Sequence, residues 1–280
     1  MAYGFQGRVG NTRKEPRAAQ LRGADSAARY AEAARADVNG HALKSCGEAV
    51  FNGLLTNTIL TELPGEDFVR LLPYLEPVSL VYGEVLCEAG SKIRYAYFPE
   101  TSVISQLHLL ADGSTTEAAL IGREGMVGLS AIFNSPPSAH LTHVMIEGNA
   151  LRIRGESLRQ EFGRGGALQQ SLLAYAGARI AQVSQRAVCN GRHSVEQRLC
   201  VWLLMINDRA PDADLPLTHE LIAGHLGVRR AGITGAANSL RDRGMIEYSR
   251  GVLCVLDRRG LEAAACECYD VLRQASFSIR

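Results

Sequence analysis

The chain lacks an excess of either charge. Its 30 Lys and Arg stand against 29 Asp and Glu, leaving +1 over 280 residues. No basic coat can spread over the surface, so affinity for a polyanion has to come from a local patch. No apolar run approaches the roughly 18–20 residues of a membrane span, and the N-terminus lacks the charged-then-apolar order of a signal peptide. A cytoplasmic protein without membrane contact is expected. The seven cysteines are odd in number and include no Cys-x-x-Cys pair, which argues against a secreted disulfide framework. Also missing are a Gly-x-Ser-x-Gly elbow, a Gly-x-x-x-x-Gly-Lys loop and a Gly-x-Gly-x-x-Gly fingerprint. Neither enzyme activity nor a cofactor or metal is expected.

What is present is a hydrophobic share of 46%, enough for two modest cores. Residues 1–52 are rich in Ala, Arg, Gly and polar residues and read as a flexible polar tail. Leu54 to about Leu75 has helical spacing. Residues 53–156 then carry many short strand signals, including Val78–Tyr82, Val103–Leu110 and Thr115–Ile121, punctuated by glycines and by the Asp112-Gly113 hairpin turn. This texture suggests a jelly-roll β-barrel. A helical block follows, softly broken at Gly163–Gly166 and Asn190-Gly191. Residues 157–191 form the expected long helix and hinge, and Leu168, Leu172, Tyr175, Arg179, Ile180 and Val183 approximate a heptad stripe that predicts a homodimer.

Residues 192–280 end in the clearest signal of the chain. Thr218 stands at a helix N-cap position, Leu221, Ile222 and Leu226 follow at helical spacing, and Gly227 permits a tight turn. The second helix turns Ile233, Ala237 and Leu240 inward and stops at Gly244. Met245–Tyr248 and Val252–Leu256 flank Ser249-Arg250-Gly251 as a hairpin. This is a winged helix-turn-helix, which makes double-stranded DNA the expected partner. The candidate DNA contacts are Thr218, His219, Arg229, Arg230, Thr234, Asn238, Arg243 and, at the wing tip, Arg250. The fold class is α+β: barrel, long dimerisation helix, winged helix-turn-helix.

In this order the pieces resemble the Crp/Fnr family of bacterial transcription regulators from about Leu54 to Tyr269. The resemblance is carried by Tyr82-Gly83-Glu84-Val85-Leu86, by Ile121-Gly122-Arg123-Glu124-Gly125-Met126-Val127-Gly128, by Arg192–Trp202 and above all by Leu226–Arg230 through Arg258. It implies a cyclic-nucleotide-binding-like barrel, a DNA-reading dimer and RNA polymerase as a partner. The effector stays unidentified. Members that bind cyclic AMP carry a Gly-Glu pair and a later arginine; the matching stretches here are Gly128-Leu129-Ser130 and Ser135–His140, without carboxylate or arginine. A buried phosphate without a cationic partner is strongly disfavoured, so cyclic AMP is not expected to bind. The family's first base-reading arginine falls on Arg230, but Ala231 and Gly235 stand where many members have a glutamate and a second arginine.

Oxygen-sensing relatives hold an iron–sulfur cluster on an N-terminal cysteine series, and this tail offers only Cys46. Cys87 or His108 would be the barrel's candidates for a haem ligand. His108, Glu117, His140 and His143 would be those of a cupin-like metal enzyme, without the usual His-x-His strand pair. Cys266-Glu267-Cys268, if helical, would splay its thiols about 200° apart. The remaining alternative is a ligand-sensing or protein-interaction module with weakened DNA binding.

Overall fold

The computed structural model describes residues 55–133, 137–211, 215–249 and 251–277. The expected tail at 1–52 and Arg250 lie outside the described residues. The described residues begin with two short helices, α1 (Thr58–Thr61) and α2 (Gly65–Leu71). Asn57 caps α1 through its side chain, which accepts from the Leu60 N–H and donates to the carbonyls of Pro99 and Gly125.

Seven antiparallel strands follow: β1 (Glu76–Leu80), β2 (Val85–Cys87), β3 (Tyr95–Pro99), β4 (Val103–Leu109), β5 (Thr115–Ile121), β6 (His140–Ile146) and β7 (Gly148–Arg154). They form a three-stranded sheet in the order β1-β7-β3 and a four-stranded sheet in the order β2-β6-β4-β5. The Asp112-Gly113 turn joins β4 to β5, with Gly113 at φ +84° and the Asp112 carboxylate accepting from the Ser114 N–H.

Side chains alternate across a strand, and here both faces are apolar. Tyr97, Ile104, Ala119, Ile121, Val144 and Ala150 point between the sheets and close the barrel core. Their neighbours Ala96, Phe98, Leu151 and Ile153 face outward from the three-stranded sheet, into a cluster with Leu60, Leu71, Leu158, Leu168, Leu172 and Tyr175. Val103, Leu120 and Met145 face outward from the four-stranded sheet, into the core of the C-terminal half. The protein is therefore layered: helices, sheet, sheet, winged domain.

Helix α3 (Gly155–Gly163) ends at the expected break, where Gly165 and Gly166 both take φ +80°. Helix α4 (Ala167–Arg192) then runs 26 residues, about 39 Å. It passes through Asn190-Gly191 without a break. The turn comes instead at His193-Ser194, where Ser194 and Gln197 form a reciprocal capping box that starts α5 (Val195–Asn207). A capping box satisfies two end donors at once, which is why the chain breaks there. Helices α6 (His219–Leu226) and α7 (Arg230–Asp242), strands β8 (Ile246–Ser249) and β9 (Val252–Val255), and helices α8 (Arg258–Ala264) and α9 (Cys268–Phe277) complete the chain.

Candidate nucleic-acid interface and its link to the barrel

The helix-turn-helix forms as the residues dictate. The Thr218 hydroxyl accepts from the Leu221 N–H at 3.1 Å, and Gly227 closes α6 in the left-handed region at φ +63°. Helix α7 buries Ile233, Ala236, Ala237 and Leu240. Its other face is open: Arg229, Arg230, Ala231 and Gly235 are exposed, while Thr234 and Asn238 are half-buried. Arg241, one turn beyond Asn238, is also exposed and pairs with Asp242 at 3.1 Å. Its i+3 spacing from Asn238 puts it on the same face of the helix, a signal readable in the sequence.

The candidate DNA contacts differ in how free they are. Arg229 and Arg230 project from the start of α7, and the Arg230 Nε lies 4.0 Å from Glu220 with both side chains largely in solvent. Thr218 is occupied as a cap. The Thr234 hydroxyl donates to the Arg230 carbonyl and sits 3.1 Å from His219 Nδ1. His219 packs on Tyr248 at 4.8 Å between ring centroids, so the wing and both helices are joined beneath the reading face. Burial and the neighbouring Arg230 push His219 below its ordinary pKa. Arg243 pairs with Glu196 of α5 at 2.5 Å, which makes it a brace at the end of α7 as well as a surface cation.

Of the six residues of the expected dimer stripe, Leu168, Leu172 and Tyr175 are buried in the chain's own barrel. The Tyr175 hydroxyl donates to the Met126 carbonyl at 2.9 Å, and a Cβ on Gly125 would stand 2.5 Å from that oxygen. Arg179 donates to Gln182 at 2.6 Å. Only Ile180 and Val183 are exposed apolar positions. The open apolar face of α4 is rotated by one residue: Leu173, Gly177, Ile180, Ser184 and Ala187 repeat at four and three and all face solvent. That is the spacing of a coiled-coil seam.

Where the barrel meets the winged domain, six polar side chains converge from six elements. Glu117 of β5 is fully buried. It accepts from Ser105 of β4 at 2.8 Å, Arg186 of α4 at 2.9 Å, Trp202 of α5 at 3.1 Å and His225 Nδ1 of α6 at 2.9 Å. An ionised carboxylate only accepts, so His225 carries its proton on Nδ1. Burial alone would raise the Glu117 pKa, but Arg186, His225 and Ser105 together hold it far below the usual carboxylate range. His143 of β6 stands 5.8 Å from the His225 ring with its Nε2 buried and unpartnered. Burial first, and His225 second, lower its pKa. Nearby, Gly224 and Gly227 let α6 press on Thr115 and Thr116, where an added Cβ would meet hydroxyls at 2.9 and 2.6 Å.

The suggested barrel metal set does not assemble. His108 and His140 pair across β4 and β6 with ring centroids 4.3 Å apart, whereas Glu117 is taken up by four protein donors. The stretch matched to the nucleotide site shows Gly128 at φ +92°, followed by a 3₁₀ turn at Leu129–Ala131. Leu129 packs on the helix-side core. The buried carboxylate in the preceding loop, Glu124, is committed to Arg209 at 2.5 Å. Among the described residues no helix is long and apolar enough to cross a membrane.

Comparison with known proteins agrees with this geometry. Residues 197–264 match the Crp-like helix-turn-helix domain. Among solved structures, FixK2 from Bradyrhizobium japonicum is 18% identical, with 69% of this chain and 98% of that one covered at a TM-score of 0.58. A transcriptional regulator of the CRP/FNR family from Thermus thermophilus is 19% identical, covering 68% and 98% at 0.53. The c-di-GMP-responsive global regulator CLP from Xanthomonas campestris is 15% identical, covering 69% and 99% at 0.55. At these identities the likeness is one of fold. No curated protein sequence matches significantly.

Proposed function

We propose that this chain, which carries a Crp-like helix-turn-helix domain on the fold of the Crp/Fnr regulators, is a homodimeric, sequence-specific DNA-binding transcription regulator. The single observation that carries the reading is the open face of α7. There Arg229 and Arg230 are exposed at the helix start, Arg230 only loosely approached by Glu220, above a turn, a wing and a core that hold that helix out. Arg230 reads a base edge and Arg229 holds phosphate. Two recognition helices must be spaced by about 34 Å to meet successive half-sites, which the exposed seam of α4 provides by pairing with a second copy. RNA polymerase is the partner such a dimer would engage, and the cytoplasm is its place of action. No enzymatic step is part of this reading.

The test is binding to the DNA upstream of the protein's own gene, followed by Arg230→Ala. That substitution should cost about 1–3 kcal/mol on the specific site and relax preference at one base pair per half-site. A mutant that weakened every single-base operator variant alike would reassign Arg230 to a phosphate. Absence of any specific site in the wild type would favour the interaction-module reading, which Ala231 and Gly235 on the open face support.

The barrel of this regulator takes no cyclic AMP. Leu129 packs against the core where a ribose-binding carboxylate would be needed, and one oxygen of Glu124 is already paired with Arg209. Titration calorimetry with cyclic AMP and cyclic GMP is expected to give no saturable heat at micromolar concentrations. Micromolar binding that tightened the operator complex would refute this.

A further inference from the structure

At the far end of α4 a second convergence has no part in reading DNA. Cys189 and His193 lie one turn apart at the end of α4, Cys266 lies in the break between α8 and α9, and Cys268 opens α9. One ligand atom from each lies within 4.8 Å of every other. All three thiols are buried and His193 is half-buried. We infer that Cys189, His193, Cys266 and Cys268 form a tetrahedral Cys3His site for a single zinc ion, stapling the end of the long helix to the C-terminal helices.

The spacing carries the inference. With Zn–S near 2.3 Å and Zn–N near 2.0–2.1 Å, the edges of a tetrahedral site are about 3.8 Å between sulfurs and about 3.5 Å between sulfur and nitrogen. The Cys189 and Cys266 sulfurs are 3.7 Å apart, and the Cys268 sulfur is 3.5 Å from His193 Nδ1. That sulfur separation is far beyond a disulfide bond. Four ligand atoms drawn this close enclose one ion and leave no space for a multi-iron cluster. Three sulfurs and an imidazole within 4.8 Å of one another, two of their edges at tetrahedral length, select zinc over the harder cations.

The surroundings fit a bound cation. His193 presents Nδ1 to the cluster while its Nε2 lies 3.4 Å from Glu267, the carboxylate–histidine–metal arrangement that fixes the ring and its tautomer. Gln185 donates to the Cys268 sulfur at 3.1 Å. Three thiolates, a neutral imidazole and Zn2+ sum to a net charge of −1. Arg198 of α5, whose Nε is buried without a partner, supplies the opposing charge.

The expectation that Cys266 and Cys268 splay apart assumed one continuous helix. Ala265 takes extended angles (φ −71°, ψ 162°) and ends α8, so the two thiols turn to the same side.

The experiment uses the full chain, reduced, stripped with chelator and titrated with cobalt and then zinc. About one equivalent of cobalt should bind with thiolate charge-transfer and intense tetrahedral d–d bands, and zinc should displace it. Cys268→Ser and His193→Ala should abolish the tetrahedral spectrum, whereas Cys87→Ser should leave it intact. Glu267→Gln should keep the spectrum and weaken zinc affinity by about 10–100-fold. Wild-type protein that takes up no tetrahedral cobalt would overturn the assignment. So would a Cys189–Cys266 disulfide or iron–sulfur absorption in protein purified without oxygen. None of these readouts depends on DNA, so the site and the regulator reading stand or fall separately.

Discussion

Glu117→Ala is expected to lower the unfolding free energy by about 3–5 kcal/mol, because removing one member of a buried ion pair strands the other. Arg186 and His225 would lose their shared acceptor, Trp202 would keep a donor aimed at nothing, and Ser105 would be left with His225 alone at 3.5 Å. Trp202→Phe removes a single donor and should cost only about 1–2 kcal/mol. Urea unfolding of the two variants separates them. A Glu117→Ala loss below 1 kcal/mol would mean that Arg186 and His225 escape to water and that the junction is held by apolar contact alone. The pH dependence has a fixed sign. Glu117 titrates lower in the folded chain than its ordinary value of 4.5, so its contribution is complete above that value and drains away as the pH falls below it. Glu117→Gln should therefore flatten the acid limb of the stability profile while leaving the neutral region lowered.

The second large effect is expected at the exposed seam of α4. Leu173 and Ile180 sit two turns apart on the same open face, 48% and 69% exposed. Replacing both with glutamate should give a folded monomer by light scattering. Its affinity for the specific DNA site should fall toward the non-specific level, a loss on the order of 1,000-fold or more. An unchanged dimer would move the interface elsewhere. Leu172 is unsuited to this test, because it is fully buried against the barrel and a charge there would unfold the chain.

The difference between Leu172 and Leu173 marks the limit of what the residues declare. Helix α4 is apolar on two faces, Leu168-Leu172-Tyr175 and Leu173-Ile180-Ala187, and periodicity reports both without saying which meets the barrel. The winged helix-turn-helix was legible because each boundary carries its own local chemistry: a capping threonine, then Gly227, Gly244 and Gly251 at positive φ. The Asp112-Gly113 hairpin was legible for the same reason. Sequence alone shows Glu117 only as a possible metal ligand, because its four donors come from positions 105, 186, 202 and 225, and no window of sequence spans them. The cysteine cluster was hidden by a single residue: Ala265 leaves the helix where helix propensity favours continuing.

The four-stranded sheet has no face left over, since Val103, Leu120 and Met145 share a core with Trp202, Ile222 and Leu226. A winged domain that borrows its interior from the barrel cannot be traded between proteins as a cassette. Cut loose, it would expose an oily underside, and a substitute would have to reproduce the glycine-flattened side of α6 that rests on Thr115 and Thr116. New specificities must instead arise on the outer skin of α7, where Ala231 and Gly235 stand as open positions that a change of side chain can fill without disturbing anything beneath.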